Sequence, residues 1–255
     1  MATLKPAAAH TAAHTAAHTG SAPLTPCATF ITKDAMRRII SDIKEIRANP
    51  LTAHGIYYEH DDTDLLKGKA LIIGPQGTPY ADGFYFFKFK FPGNYPHEPP
   101  EAQFCTNDGE TRFNPNLYRS GKVCLSILNT WKGDQWSGCQ TISSVLLAIC
   151  TVFNETPLLN EPGVTKNHAD FLNYNKIIAY KNIQVAIFGM LSNVKIKVDF
   201  DCFVEIMRKH FQEVREKVRE RVISAISANG IESVTTGVYN MNVCINYPGL
   251  LEKFD

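Results

Sequence analysis

Cys124 lies in the run GKVCLSIL, eight residues after Asn116 of the tripeptide Asn114-Pro115-Asn116. A thiolate can attack a carbonyl carbon and hold the acyl group as a thioester. A carboxamide presented beside it can hydrogen-bond the oxyanion that develops in such a step. The same asparagine can equally pin the loop backbone, and spacing alone leaves both roles open. Cys124 can also be no more than a small buried hydrophobe, because free cysteine is among the most buried residue types and V-C-L-S-I-L reads as a strand entering a core. What argues for chemistry is the approach: Asn-Pro-Asn fixes one turn and Ser120-Gly121 a second, so two turns deliver the thiol.

A cysteine hydrolase needs a base to activate thiol and water, normally a histidine held by a third group. No histidine lies between His97 and His168, and neither sits in a recognisable cysteine-protease signature. An acyl carrier needs the opposite property, a thioester that water attacks slowly and a presented amine attacks readily. The sequence near Cys124 suits a carrier better than a hydrolase.

The elements that must position these residues follow from periodicity. Thr32 is a helix N-cap before KDAMRRIISDIKEIRANP, in which Ala35, Met36, Ile39, Ile40, Ile43 and Ile46 recur at helical spacing. Asn49-Pro50 ends that run. Its other face carries Lys33, Arg37, Arg38 and Lys44, a pattern that is usually a solvated surface. GIYYEH, LKGKALIIG, GFYFFKFKF and EAQFC, separated by Gly/Pro-rich turns, predict an antiparallel meander. TISSVLLAICTVFNE is apolar nearly all round and predicts a buried helix. A further helix is expected through HADFLNYNKIIAYKNIQVAIFGML. A long one over CFVEIMRKHFQEVREKVRERVISAISANG carries Met207, Phe211, Val214, Val218 and Val222 on an apolar stripe, which more often packs on its own domain than on a partner, with Gly230 as its C-terminal cap. From Ile231 on, no assignment follows. A helix, a meander, a long connection and then helices make an α+β layout.

Composition narrows the function classes. With 26 Lys+Arg against 25 Asp+Glu, the formal charge of +1 lends no support to a nucleic-acid or anionic-membrane partner. No apolar run approaches the roughly 18 residues of a membrane span, and the N-terminus lacks the charged and apolar regions of a secretory signal. Seven cysteines without CxxC spacing fit reduced thiols, so a soluble protein of the cytosol or nucleus is expected. Residues 1–29 form a low-complexity zone in which AAHTAAHTAAHT repeats a four-residue unit. If helical, it would stack His10, His14 and His18 as metal ligands, but it holds too little apolar surface to offset ordering entropy and reads as a disordered tail.

FPGNYPHEPP, then NPN, then GKVCLSIL, then QWSGCQTISSVLLAIC, in this order, together resemble the ubiquitin-conjugating enzyme family. The similarity runs from about Lys33 to Leu191 and includes GPQGTPYADGFY and Asn160-Glu161-Pro162. NTWKGDQ, between Cys124 and Trp136, is longer than in minimal members, and RFNPNLYRSGKVCLSILNTW most resembles the Z-type members. The resemblance implies an N-terminal helix, a four-stranded antiparallel meander, an active-site loop, a central buried helix and C-terminal helices. It divides the chain into a tail (1–29), a catalytic core (30–192) and a helical extension (193–255).

The resemblance also implies roles. Cys124 is the thioester-forming cysteine, and Asn116 the residue of oxyanion stabilisation or loop support. Glu161 orients or deprotonates the incoming lysine, the alternative being a solvated loop acid. Tyr118 packs along the lysine stem, as in the similar loop of the SUMO-conjugating enzyme, and Ser126 takes a gate position where many relatives have aspartate. Asn114 replaces the first histidine of the usual His-Pro-Asn motif, so loop packing rather than chemistry is expected to differ. His97 stands where many relatives place phenylalanine against a RING ligase. Gly138-Cys139 stands where Pro-Ala would complete the neighbouring ligase-contact loop, which also contains Trp136 and Ser137. The basic face of the first helix becomes a docking candidate for the activating enzyme. The implied partners are ubiquitin, its activating enzyme and a ligase of unknown type, with no metal or organic cofactor. SUMO or another ubiquitin-like modifier is the alternative cargo. A non-catalytic binding module of the same fold is the rival outside catalysis, against which the cysteine itself argues.

Overall fold

Thr32 caps the first helix as its sequence requires: its hydroxyl accepts from the Ala35 amide at 3.0 Å, and α1 runs Lys33–Ala48. The computed structural model describes residues 30–254. The expected tail over residues 1–29 and the His10, His14, His18 cluster lie outside them. Only part of the expected apolar stripe of α1 faces inward. Ala35, Ile39 and Ile46 are buried, whereas Met36 and Ile40 stay 41% and 39% exposed. The buried position between Ile39 and Ile46 belongs to Asp42, whose carboxylate takes Arg38 Nε at 2.7 Å and the Tyr95 hydroxyl.

The meander forms as expected, with β1 (Ile56–His60), β2 (Lys67–Ile73), β3 (Phe84–Lys90) and β4 (Glu101–Phe104) in sequential antiparallel order. β3 is buried on both faces over Phe84 to Phe87. Tyr85 meets Phe153, just beyond the central helix α2 (Ile142–Thr151), at 4.5 Å between ring centres. On the opposite face Phe86 meets Phe200 at 4.7 Å. An antiparallel sheet commonly leaves one face in water; here the C-terminal extension covers it, which is why FYFF does not alternate with polar residues. α2 begins with a capping box, Thr141 and Ser144 satisfying each other's backbone amides.

α3 (Phe171–Lys181) continues through a π-helical stretch (Asn182–Gly189) into α4 (Met190–Ser192). α5 (Val194–Asp199) and the long α6 (Val204–Asn229) follow. Met207, Val218 and Val222 of the expected α6 stripe are buried, and Phe211 and Val214 half-buried, so α6 does pack on its own domain. Gly230 ends it at φ +60°, its amide reaching Ile226 O.

The extension, expected to be helical over 193–255, is helical only up to this point; the residues from Ile231, which periodicity left unassigned, first form strands. β5 (Ile231–Thr236) and β6 (Met241–Asn246) pair as an antiparallel hairpin, and α7 (Tyr247–Leu251) and a 3-10 turn (Glu252–Phe254) follow. Met241, Val243 and Ile245 are buried, alternating with exposed Asn242 and Cys244. The hairpin lies along α3, with Lys176 Nζ 3.2 Å from Glu232 and Asn173 Nδ2 3.1 Å from Thr235 O. Residues from Ile31 on form one compact unit.

Candidate active site

The chain leaves β4 and turns back through Asn114-Pro115-Asn116. Asn114, wholly buried, is the hub of this loop. Its Nδ2 donates to Val152 O at 2.8 Å and the Tyr80 hydroxyl at 3.0 Å. Its Oδ1 accepts from the Asn116 amide at 2.9 Å and from Asn160 Nδ2 at 3.3 Å. A buried carboxamide must find partners for donors and acceptor alike, and these four contacts tie the loop to α2 and to the segment leading to Glu161. The substitution expected to alter packing thus carries the packing.

A second turn, Tyr118 to Gly121, closes with Gly121 N donating to Tyr118 O at 2.9 Å. Gly121 has φ +88°, and a Cβ there would fall 2.9 Å from Phe104 O, so this tight return requires glycine. The strand expected over V-C-L-S-I-L does not form: the returning segment makes only isolated bridges at Lys122 and Val123 before a 3-10 turn, and it sets Cys124 opposite Asn116. The Cys124 amide donates to Asn116 O at 2.9 Å, and Asn116 Nδ2 to Cys124 O at 2.7 Å. The Asn116 side chain is therefore on the backbone of Cys124, the loop-support position.

Cys124 is 3% exposed, and its thiol donates to Thr130 O at 2.8 Å. Thr130 belongs to the NTWKGDQ segment; its hydroxyl also accepts from the Leu125 amide and donates to Val123 O, clipping the segment across the cysteine. Beyond it opens a groove of about 640 Å³ lined by Asn129, Thr130, Trp131, Lys132 and Pro162. Pro162 is the neighbour of Glu161, which stands at the end of a 3-10 turn (Pro157–Asn160). The Cys124 loop and the turn before Glu161 are thus joined through Asn114–Asn160, and Pro162 lines the same groove as Thr130. No histidine is hydrogen-bonded to Cys124 among the described residues: His60 is held by Tyr58 and Leu65, His168 by the Asp170 amide and His210 by Asp82.

Tyr118 is only half available. The Arg112 guanidinium lies 3.4 Å from its ring centre, covering one face. Ser126 is half-buried at the start of a 3-10 turn (Ser126–Leu128), against Gly133. Sequence reasoning missed Arg112 and Tyr239. The phenol of Tyr239, at the tip of the β5–β6 hairpin, donates to Glu161 Oε2 at 2.5 Å, and burial followed by Glu161 pushes its pKa far above that of an ordinary tyrosine. Arg112 lies against its ring as well, at 4.9 Å.

The partner candidates divide. Lys33, Arg37 and Lys44 project from α1 beside the exposed Met36 and Ile40. Arg38 does not join them. Its guanidinium holds Asp42, Gly138 O at 2.7 Å and Gln140 O, fastening α1 to the loop that precedes α2. Trp136 is likewise an anchor, its Nε1 donating to Pro96 O at 2.7 Å and its ring packing on Tyr95. His97, Ser137 and Cys139 are exposed on the two loops so joined. The seven candidates therefore comprise five outward residues and two that brace them.

The family model described as ubiquitin-conjugating enzyme matches residues 38–194. Ubiquitin-conjugating enzyme E2 Z of Xenopus tropicalis is 43% identical over 179 residues, 69% of this chain and 56% of the relative. The Homo sapiens protein of that name is 45% identical over 157 residues, 60% of this chain and 44% of the relative. The chain thus spans about half the length of these curated relatives. A solved structure of human ubiquitin-conjugating enzyme E2 G1 is 27% identical, covering 48% of this chain and 94% of that one with a TM-score of 0.42. Among the described residues, no helix is long and apolar enough to cross a membrane.

Proposed function

The chain belongs to the ubiquitin-conjugating enzyme family, and from that premise we propose that it accepts ubiquitin from an activating enzyme as a thioester on Cys124 and passes it to a lysine amine or a ligase. In charging, the Cys124 thiolate attacks the carbonyl carbon of the activating enzyme's thioester; a new C–S bond forms and the donor thiolate leaves. In transfer, the amine attacks the Cys124 thioester, loses a proton as the amide forms, and expels the Cys124 thiolate.

The observation that carries this reading is the setting of the thiol, hydrogen-bonded to a backbone carbonyl rather than an imidazole and one residue removed from an open groove. Such a site forms a thioester by exchange without a resident base to hydrolyse it. Glu161, next to the groove-lining Pro162, is proposed to orient the ammonium of the acceptor lysine. Lys33, Arg37 and Lys44, with His97, Ser137 and the face around them, are the proposed docking surface for the activating enzyme and the ligase. A working thiol fits a reducing compartment, the cytosol or nucleus.

The test is a charging reaction. The chain, ATP, magnesium, ubiquitin and a ubiquitin-activating enzyme should give an adduct on a non-reducing gel that thiol reductant removes. No adduct from folded protein with any ubiquitin-activating enzyme would refute the ubiquitin assignment; an adduct with a ubiquitin-like modifier alone would replace it.

Asn116→Ala separates the two roles of that carboxamide. Because Nδ2 holds the Cys124 carbonyl, the expected result is a loss of about fivefold in charging and discharge alike, the effect of roughly 1 kcal/mol. Slow discharge with charging intact would instead assign the amide to the oxyanion.

A further inference from the structure

The C-terminal hairpin reaches back to the transfer site. Its tip residue Tyr239 has left-handed backbone angles, φ 63° and ψ 7°, uncommon for a residue with a side chain. Four contacts hold it there. Arg119 Nη2 donates to Tyr239 O at 2.6 Å, and the Val238 amide donates to Asp170 Oδ2 at 2.8 Å. The ring packs on Tyr174 at 6.1 Å and on the Arg112 guanidinium at 4.9 Å. Arg112 in turn lies on Tyr118 and donates to Asn114 O and Pro115 O, at 3.1 Å and 2.7 Å. The tip is thus built into the loop that presents Cys124, and its hydroxyl ends on Glu161 Oε2 at 2.5 Å.

We propose that Tyr239 is a positioning residue for Glu161, fixing the carboxylate that orients the incoming lysine, so that the hairpin is part of the transfer site. This rests on the carrier function proposed above. A carboxylate offers about four acceptor positions on two oxygens. A phenol on Oε2 leaves Oε1 free for an ammonium while removing the rotation that would swing the group away. An O–H donor to a carboxylate makes one of the stronger hydrogen bonds available. Asn160, bonded to Asn114, holds the same turn from its other side, so Glu161 is restrained at backbone and side chain together.

Tyr239→Phe keeps the ring on Arg112 and Tyr174 and removes one oxygen. The full chain carrying it is charged with ubiquitin, then discharged to free lysine in a single turnover beside the parent, Glu161→Gln and the double variant. Charging should match the parent. Discharge should slow about tenfold, and the double variant should be no slower than Glu161→Gln alone, since the hydroxyl acts through that carboxylate. The proposal is overturned if Tyr239→Phe discharges at the parent rate or faster, or if charging falls with discharge. It is also overturned if the two single losses multiply in the double variant. A parent chain that never charges refutes the carrier function itself and this proposal with it, an outcome distinct from any confined to Tyr239→Phe.

Discussion

Cys124→Ala is expected to abolish the thiol-sensitive adduct completely while leaving the fold intact. Both halves of that result matter. The sulfur is the only heavy atom removed, and none of the residues lining the groove carries a thiol, so charging should fall by on the order of a thousandfold or more. The stability change should be small, about 1 kcal/mol, because a single buried heavy atom is lost. If Cys124 were merely a core residue, the variant would melt lower and still charge. Cys124→Ser sharpens the test: its hydroxyl should charge far more slowly, and any adduct would be an oxygen ester that survives reductant. Because the thiol is 3% exposed and bonded to Thr130 O, the clip over 129–135 must yield before the donor thioester arrives. Charging of the parent should therefore depend on that segment, whereas the empty result for Cys124→Ala should not.

The parts of this molecule legible in its sequence are those decided within a few residues. The Thr32 cap, the four strands, the glycine at 121 and the cap at Gly230 each follow from local geometry, and each stands where its residues demand. Periodicity located α1 but not its inward half: Met36 and Ile40 satisfy the same spacing as Ile39 and yet face out, while the buried position between Ile39 and Ile46 goes to Asp42, held by Arg38 and Tyr95. The hairpin carried a readable signal, Met241, Val243 and Ile245 alternating with polar residues. It was obscured by a preceding strand whose apolar pattern is weak.

The site divided in the same way. Cys124, Asn116 and Glu161 came from motif and resemblance, and the structure adds how they are held. What it adds spans long separations: Tyr239 reaches Glu161 across 78 residues, and Arg119 reaches Tyr239 across 120. Nothing in a stretch of sequence announces such a pair. The same limit misassigned Arg38, a cation indistinguishable from Arg37 until Gly138 O and Gln140 O, a hundred residues on, are seen to claim it.

Asp82 is where the largest stability effect should lie. Its carboxylate is fully buried and accepts from Gln76 Nε2 at 2.7 Å, Arg221 Nη2 at 2.8 Å and His210 Nε2 at 3.1 Å. His210 and Arg221 are both on α6, so one acid fastens that helix to the turn between β2 and β3. Asp82→Asn is the informative change, because asparagine tolerates the left-handed backbone at φ 64° while the charge is lost. Arg221 is then left half-buried without its counter-charge, at a cost of about 2–3 kcal/mol, less than the roughly 3–5 kcal/mol of breaking a fully buried pair since the arginine is partly wet. In a chain of this size that lowers the melting temperature by roughly 5–10 °C. Acid should do the same to the parent. Burial would raise the Asp82 pKa, but the His210 hydrogen bond, the Arg221 charge and Gln76 together hold it below the ordinary carboxylate value. A depressed folded pKa means the contribution is complete above the unfolded value, near pH 4, and drains away as pH falls through the folded one. The parent should therefore lose stability relative to Asp82→Asn below about pH 4, and the difference between them should narrow there. Because α6 leads straight into the hairpin that carries Tyr239, loosening it should also slow discharge more than charging. Melting within a degree of the parent at neutral pH would show that the acid is not the fastening, and the hydrophobic stripe of Met207, Val218 and Val222 alone would have to hold α6 to the sheet.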